Sequence, residues 1–503
     1  MIKKTFAFLL IFPLAASFLL SQKEGGRADS YFHFLRGSQL WAEGLLEEAA
    51  AEMMNALKGS EDPAFVYSAL ASLYFEMWEW DKSEDAARKA LSLDLENISA
   101  HRVLGRIFMS RALSFRADEP IMRDLLQQAK EEFLKIISIS ADDEEAYSSL
   151  GKISLALSDL REAEKYFSRF TELNPFSEKG FLNLGEIQLE LSKFSDAEHS
   201  LEKALSLNPR SFNGYILLGR VYEHKEDWFK AAELYRRALR YFPRDPILLN
   251  RLGFCLYFIE DYSGALQALE QVLEQDPSNY YALLTRAKIF QRTGKLKEAE
   301  ILYRRLLKQK AKSVEVHLNL AILLENKGDR EGALAEYIEL LRMEKNPPLE
   351  RRYFYHFRIG VLHERLKNFD KAEDYLRKAV EIDPESGEAL NYLGYMLVER
   401  GNKLKEAINF IKRALAVEPD NGAYLDSLGW AYYKIGNFKG AEIYLRQAIQ
   451  KLKDDPVIND HLGDLYFRLG KRDKALSYWK KALVAGIEDA DAVKKKIEKA
   501  LKK

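Results

Sequence analysis

The sequence predicts an all-α protein: about thirteen copies of one helix-turn-helix unit, stacked as a solenoid and closed by a capping helix. Three observations carry this. A period of 34 residues runs from Ser30 to Asp489. Within it, one position is always Gly or Ala, and a second, twelve residues later, is Ala in twelve units and Ser in one. Apolar residues around these two recur at spacings of three and four, the helical period. Thirteen units, 12 extra residues in unit three, five between units nine and ten (Pro348 to Arg352) and one in unit eleven account for the whole span. No stretch between Ser30 and Asp489 is left over for a different fold.

Each element follows from its residues. Repeat six, Phe212 to Asp245, places Tyr215, Leu218, Gly219, Tyr222, Ala231, Tyr235, Ala238 and Pro243 at positions 4, 7, 8, 11, 20, 24, 27 and 32. Position 8 belongs to a first helix of about thirteen residues and position 20 to a second. Small residues there let two backbones approach closely, and a larger side chain would overpack at about 1–3 kcal/mol. Proline at position 32 (Pro175, Pro209, Pro243, Pro277, Pro384, Pro419) ends the second helix. In repeat three the extra residues surround Ala117-Asp118-Glu119-Pro120, which reads as a helix start. Both helices of that repeat are expected to lengthen by about six residues. After Asp489, Val493, Ile497 and Leu501 share one side of a helix whose other side is lysine-rich, as a solvating cap requires.

The phrase Gly219, Tyr222, Ala231, Tyr235, Ala238, Pro243, repeated at this period, is identified as the tetratricopeptide (TPR) pattern. The resemblance covers about nine-tenths of the chain. It implies a right-handed superhelix whose first helices line a groove, with positions 2, 5, 6, 9, 12 and 13 facing a protein or peptide partner.

The chain has 503 residues, 47% hydrophobic and 30% charged, so a large core is available and disorder is excluded. Lys+Arg number 76 against 77 Asp+Glu, which gives no electrostatic reason to expect nucleic acid. The single cysteine, Cys255, excludes an internal disulfide and any Cys-built metal site; it sits at position 10 of repeat seven and is expected to be buried and inert. Residues 1–21 read as a signal peptide or short membrane anchor: Lys3 and Lys4, an apolar run from Thr5 to Leu20, then small residues with a cut after Ser17 or, second, Ser21. The leader has no cysteine for lipid attachment. Residues 22–29 read as a flexible lead, 30–489 as the repeats, and 490–503 as the capping helix. Export to the periplasm or cell envelope follows as the expectation, with membrane association through the amino-terminal segment.

No reacting constellation appears. There is no phosphate-cradling loop and no Gly-x-Ser-x-Gly elbow. His363-Glu364 begins like a zinc-protease helix, but Lys367 stands where the second histidine belongs. His33, His101, His317 and His356 all hold position 4, where packing is the expected role. The expectation is therefore no catalysis, no cofactor, no metal and no small-molecule substrate.

The groove positions fall into three zones. Repeats one and two show Tyr31, Phe34, Trp41, Phe65 and Phe75. The middle shows Arg102, Arg106, Lys152, Arg220, Arg251, Lys288 and Arg292, balanced by Glu223 and Glu325. The last repeats show Asn391, Tyr395, Asp426, Trp430, Tyr433, Asp460, His461 and Asp464. These eight are the candidate protein-binding groove, because aromatic rings give contact area at low entropic cost and Asn or Asp can hold a backbone or a basic side chain. Asn391, Asp426 and Asp460 share position 5 and would stand in a row. A carboxylate-clamp groove would need Lys at position 5, which no repeat has.

The closing phrases Asn391-Tyr392-Leu393-Gly394-Tyr395, Tyr424 to Tyr433, and Asp460 to Tyr466 with Trp479 resemble the last repeats of exported multi-repeat TPR proteins of Gram-negative bacteria. That group includes a lipoprotein adaptor of a carboxyl-terminal processing protease. The resemblance implies a non-enzymatic scaffold for a periplasmic protease or envelope-assembly complex; the alternative is a recruiting subunit for envelope polysaccharide synthesis or export.

Overall fold

The computed structural model describes residues 25–116 and 119–502. These form twenty-seven helices, thirteen sequential pairs and a final single one, with no strand among the described residues. The signal or anchor expected over 1–21 lies outside them, as do Ala117 and Asp118. No helix among the described residues is long and apolar enough to cross a membrane. The chain forms two compact units, one ending at Ala268 and the other starting at Leu269.

The 34-residue rule becomes geometry at positions 8 and 20. Every position-20 residue, from Ala49 to Ala475, is fully buried. A Cβ placed on Gly105 or Gly151 would lie 2.6 Å from the ring of Phe133 or Phe167, the position-24 side chain of the same repeat. The one exception to Ala at position 20 has its own reason. Ser83 donates to the carbonyl oxygen of Ala71, the position-8 residue facing it, at 2.7 Å. Because that carbonyl is already inside a helix, Ser83→Ala leaves no orphaned group, and we expect the unfolding free energy from thermal denaturation to stay within about 1 kcal/mol of wild type.

Position 34, or position 33 in repeat one, supplies the helix start. Asp62, Asn97, Asp143, Ser177, Ser211, Asp245, Asn279, Ser313, Ser386, Asn421 and Asp455 each accept from a backbone N–H in the first turn of the following helix. Such caps contribute about 1 kcal/mol each. Position 15 turns the chain between the two helices in the left-handed conformation, in every repeat but the third: Gly44, Trp78, Ser158, Ser192, Glu226, Glu260, Gly294, Gly328, Lys367, Gly401, Gly436 and Gly470 all have positive φ. Position 4 secures the join between repeats. His101 and His317 each place Nε2 3.0 Å from the carbonyl oxygen six residues upstream, and Tyr215 donates to the equivalent carbonyl at 3.1 Å. The other ring nitrogen meets a glutamate, Glu132 or Glu336, at 2.5 Å. His33 pairs with Glu52 in the same way at 2.6 Å. These histidines pack, as their position implied. Cys255 is fully buried, and burial pushes its thiol up, with Glu223 adding to the shift.

Three expectations need correction. Repeat three does not lengthen its helices equally: the first, Ile98–Ala112, gains two residues, and the second, Pro120–Ile139, gains six. The remainder goes into the link, because Pro120 sets the helix start; position 15, Ala112, stays inside the first helix, and no residue with positive φ stands between the two helices among the described residues. The five residues before repeat ten are not a plain linker. Leu349 to Arg352 form an extra first turn of the helix Leu349–Arg365, directly after Pro348. Residues 25–29 of the expected lead are helical, part of Gly25–Glu43, because no proline interrupts the run into repeat one. The cap agrees only in part: Ala490–Lys502 is a helix that buries Val493 and Ala500, but Leu501, expected on the inward side, is exposed in the last turn, and Lys496, expected outward, is drawn inward by Asp460 and Asp464.

Candidate functional site

The eight carboxy-terminal candidates lie on the first helices of repeats eleven to thirteen, Gly387–Arg400, Gly422–Lys434 and Pro456–Arg468. Stacking brings them into a cluster that is largely closed on itself. His461 is buried, with Nδ1 2.9 and 3.1 Å from the two carboxylate oxygens of Asp426, itself buried. Its ring stacks on Trp430 at 4.0 Å between centroids, and Trp430 stacks on Tyr433 at 4.8 Å. The Trp430 indole N–H donates to Glu399 of the preceding repeat, and Lys434 lies over the same ring. Burial alone would lower the His461 pKa. The Asp426 carboxylate, helped by Asp460 and Asp464, outweighs it and holds the imidazolium above its ordinary range.

Lys496, from the capping helix, closes the other side. Its Nζ donates to both oxygens of Asp460 and to Asp464, all at 2.8 Å. Trp479 Nε1 donates to the second oxygen of Asp464 at 3.1 Å. Asp464 still titrates above the usual carboxylate range, because burial and the Asp460 charge exceed what Lys496 returns. The position-5 row is thus real but unequal: Asp426 is committed to His461, Asp460 to Lys496, and the Asn391 Oδ1 is buried with no hydrogen-bond partner among the described residues. Tyr395 is half-buried. Burial first, then Glu399, Asp426, Glu364 and Asp460, push its phenol up. What reaches solvent is the edge formed by Asn391, Tyr395, Tyr433, Asp460 and Asp464; Asp426, Trp430 and His461 lie beneath it.

The middle basic positions are mostly neutralised. In the first unit Arg251 meets Glu223 at 2.6 Å, Arg220 meets Glu190 at 3.1 Å, and Arg102 pairs with Asp143 and Glu145. In the second, Lys288 meets Glu315 at 2.5 Å, and Arg358 holds Glu325. A recurring triad explains the glutamates: Tyr235 and Tyr337, at position 24, donate to Glu223 and Glu325, at position 12, which also accept from an arginine at position 6 of the following repeat. At the amino-terminal end, Tyr31 and Phe65 are about half exposed, Phe34 packs on Phe65 at 5.1 Å, and Trp41 donates to Glu76 at 2.8 Å. Sequence reading missed Lys496 and Glu399, which complete the carboxy-terminal cluster from other repeats. The lysine-rich face of the cap was the signal for the first.

Two stacks of helical hairpins, with aromatic and charged residues on the first helices, define a helical-repeat protein. Family models agree: residues 119–293 match the tetratricopeptide repeat protein 21 C-terminal ARM domain, and residues 317–485 match the tetratricopeptide repeat. The chain is a tetratricopeptide-repeat protein. It is similar to the BBSome complex member BBS4 of Bos taurus, 27% identical over 173 residues, 34% of this chain and 32% of that protein. A TPR repeat-containing protein of Pseudomonas aeruginosa is 25% identical over 208 residues, 41% of this chain and 34% of that one. The matched region therefore spans about a third of the length of each relative. Among solved structures, a tetratricopeptide repeat protein from Parabacteroides merdae aligns with a TM-score of 0.41 at 20% identity, over 50% of this chain and 98% of that one. Proteins of this repeat class serve as protein-binding scaffolds.

Proposed function

We propose that this chain is a non-enzymatic adaptor of the bacterial cell envelope, exported by its amino-terminal segment, that holds a protein partner against the first helices of repeats eleven to thirteen. The most concrete partner is a periplasmic protease or an envelope-assembly complex. One observation carries the reading: the aromatic and carboxylate edge of Asn391, Tyr395, Tyr433, Asp460 and Asp464 rests on a layer already satisfied beneath it. Such an edge meets a partner without rearranging, which limits the ordering cost of binding.

The test is affinity purification of the tagged full chain from envelope extracts, followed by mass spectrometry. Recovery of an envelope protease or assembly component is expected. Asn391→Ala with Tyr433→Ala, both at the edge, should cut recovery about tenfold or more while the circular dichroism spectrum is unchanged. Equal recovery by the variant would remove this wall from the reading. Trp430 and Asp426 are unsuitable for that purpose, since both are buried and their loss would report on folding.

A further inference from the structure

The insertion in repeat three does more than lengthen a hairpin. The first helix of repeat two is Pro63–Glu76, that of repeat three Ile98–Ala112 and that of repeat four Glu144–Ala156. Where they meet the early turns of Pro120–Ile139 they leave a cleft of about 760 Å³. Its apolar wall includes Phe75, Met109, Leu113 and Met122, of which Leu113 is 85% exposed. Met122 belongs to the six residues by which the second helix is extended, and Leu113 directly follows the first helix, so the insertion supplies part of the cleft's wall.

Its charged lining is one-sided in what it leaves available. Glu145 is 3.1 Å from Arg102, and Glu144 accepts from Asn174 at 2.7 Å. Arg106 lies over the Phe75 ring at 4.6 Å, and neither it nor Lys152 meets a carboxylate among the described residues. By contrast Arg102, on the same helix as Arg106, and Arg220 and Arg251, on the first helices of repeats six and seven, are each paired with an acidic group. Glu145 is ion-paired and Glu144 is held only by a neutral amide, so the lining keeps two cations without an ionic partner, Arg106 and Lys152, against one carboxylate.

We propose that this cleft is a docking site for an acidic peptide segment of a partner protein, large apolar side chains filling the methionine-lined floor and Asp or Glu beside them meeting Arg106 and Lys152. Flexible thioether walls accept varied apolar shapes, and the two cations select the charge of the flanks. The proposal deepens the adaptor reading with a second surface, in the first unit, distinct from the carboxy-terminal wall.

The probe is an array of short, terminally blocked peptides, each with two large apolar residues and with acidic, neutral or basic flanks, titrated against the full chain by fluorescence anisotropy. Acidic flanks should bind roughly fivefold to thirtyfold tighter than neutral ones, the scale of two partly exposed ion pairs, and the preference should shrink with salt. Arg106→Glu with Lys152→Glu, both exposed, should reverse the preference toward basic flanks. Leu113→Asp should weaken every peptide about tenfold without altering helicity. Indifference to flank charge, an unchanged preference in the charge-reversed variant, or binding to anionic lipid vesicles but to no peptide would overturn the proposal. Partner recovery that is lost in the Asn391 and Tyr433 variant but unaffected by the Arg106 and Lys152 variant would leave the adaptor reading standing and this cleft outside it.

Discussion

Gly429→Leu is expected to unfold repeat twelve and loosen both its neighbours. A Cβ on Gly429 would lie 2.7 Å from Leu445 Cγ and 3.0 Å from the Leu445 backbone nitrogen. The side chain can swing away, but the nitrogen belongs to the helix Phe438–Lys451 and moves only if the whole helix does. Three further side-chain carbons then have no space, so the cost falls at or above the upper end of the overpacking range, about 3 kcal/mol. Gly429→Ala is the control: Ala71, Ala287 and Ala321 hold the same position and are fully buried, so one methyl can be accommodated when the facing side chain adjusts. A helix also gains about 1 kcal/mol from Gly to Ala, which leaves that variant near wild type. Because a repeat touches its neighbours and little else, the damage should stay local. Hydrogen exchange should show protection lost across repeats eleven to thirteen and kept in repeats one to six. A Leu variant that melts within about 2 °C of wild type would mean that position 8 is not a helix-helix contact.

The same local logic says why so much of the fold was legible. Positions 8 and 20 are constrained by contacts inside one repeat, so Gly and Ala announce themselves at a fixed spacing; the Ser, Asp and Asn caps at the end of each repeat carried a similar signal that the sequence reading did not use. Position 15 was only half legible: six of its residues are glycine, but Trp78, Ser158, Ser192, Glu226, Glu260 and Lys367 take the same left-handed turn. There the fixed length of the hairpin overrides local preference, which costs about 1–2 kcal/mol per residue. Repeat three was misjudged because an insertion with a proline can be divided between helix and link in many ways, and only Pro120 decides it. The site was legible in content and not in depth. Position 9 of any repeat can face solvent or not, and Trp430 is buried because His461, from the next repeat, lies flat on it. Lys496 is 36 residues from Asp460 and outside the repeat, so no period pointed to it.

Asp426→Ala is expected to cost about 3–5 kcal/mol, since it leaves the His461 imidazolium buried beside Trp430 with its main counter-charge gone. Asp426→Asn keeps an oxygen acceptor facing Nδ1 and should cost less. The pair also sets a pH dependence with a definite sign. The folded-state pKa of His461 lies above its ordinary value of 6.5, so its contribution to stability is fully present below 6.5 and is lost as the pH rises through the folded value. Asp464, also raised, acts in the same direction but at acid pH, above its ordinary 3.8. As the pH rises above 6.5, then, the last two repeats should lose stability in the wild-type chain. In His461→Gln the slope should be flat, and in Asp426→Ala it should be flat or reversed, because a buried histidine without its partner prefers to be neutral. The measurement is hydrogen exchange or thermal melting of the full chain across that range, with Trp430 fluorescence as the local probe. A wild-type chain that gains stability as pH rises through that range would show that Asp426 does not hold His461 in its charged form, and the layer beneath the candidate edge would have to be assigned differently.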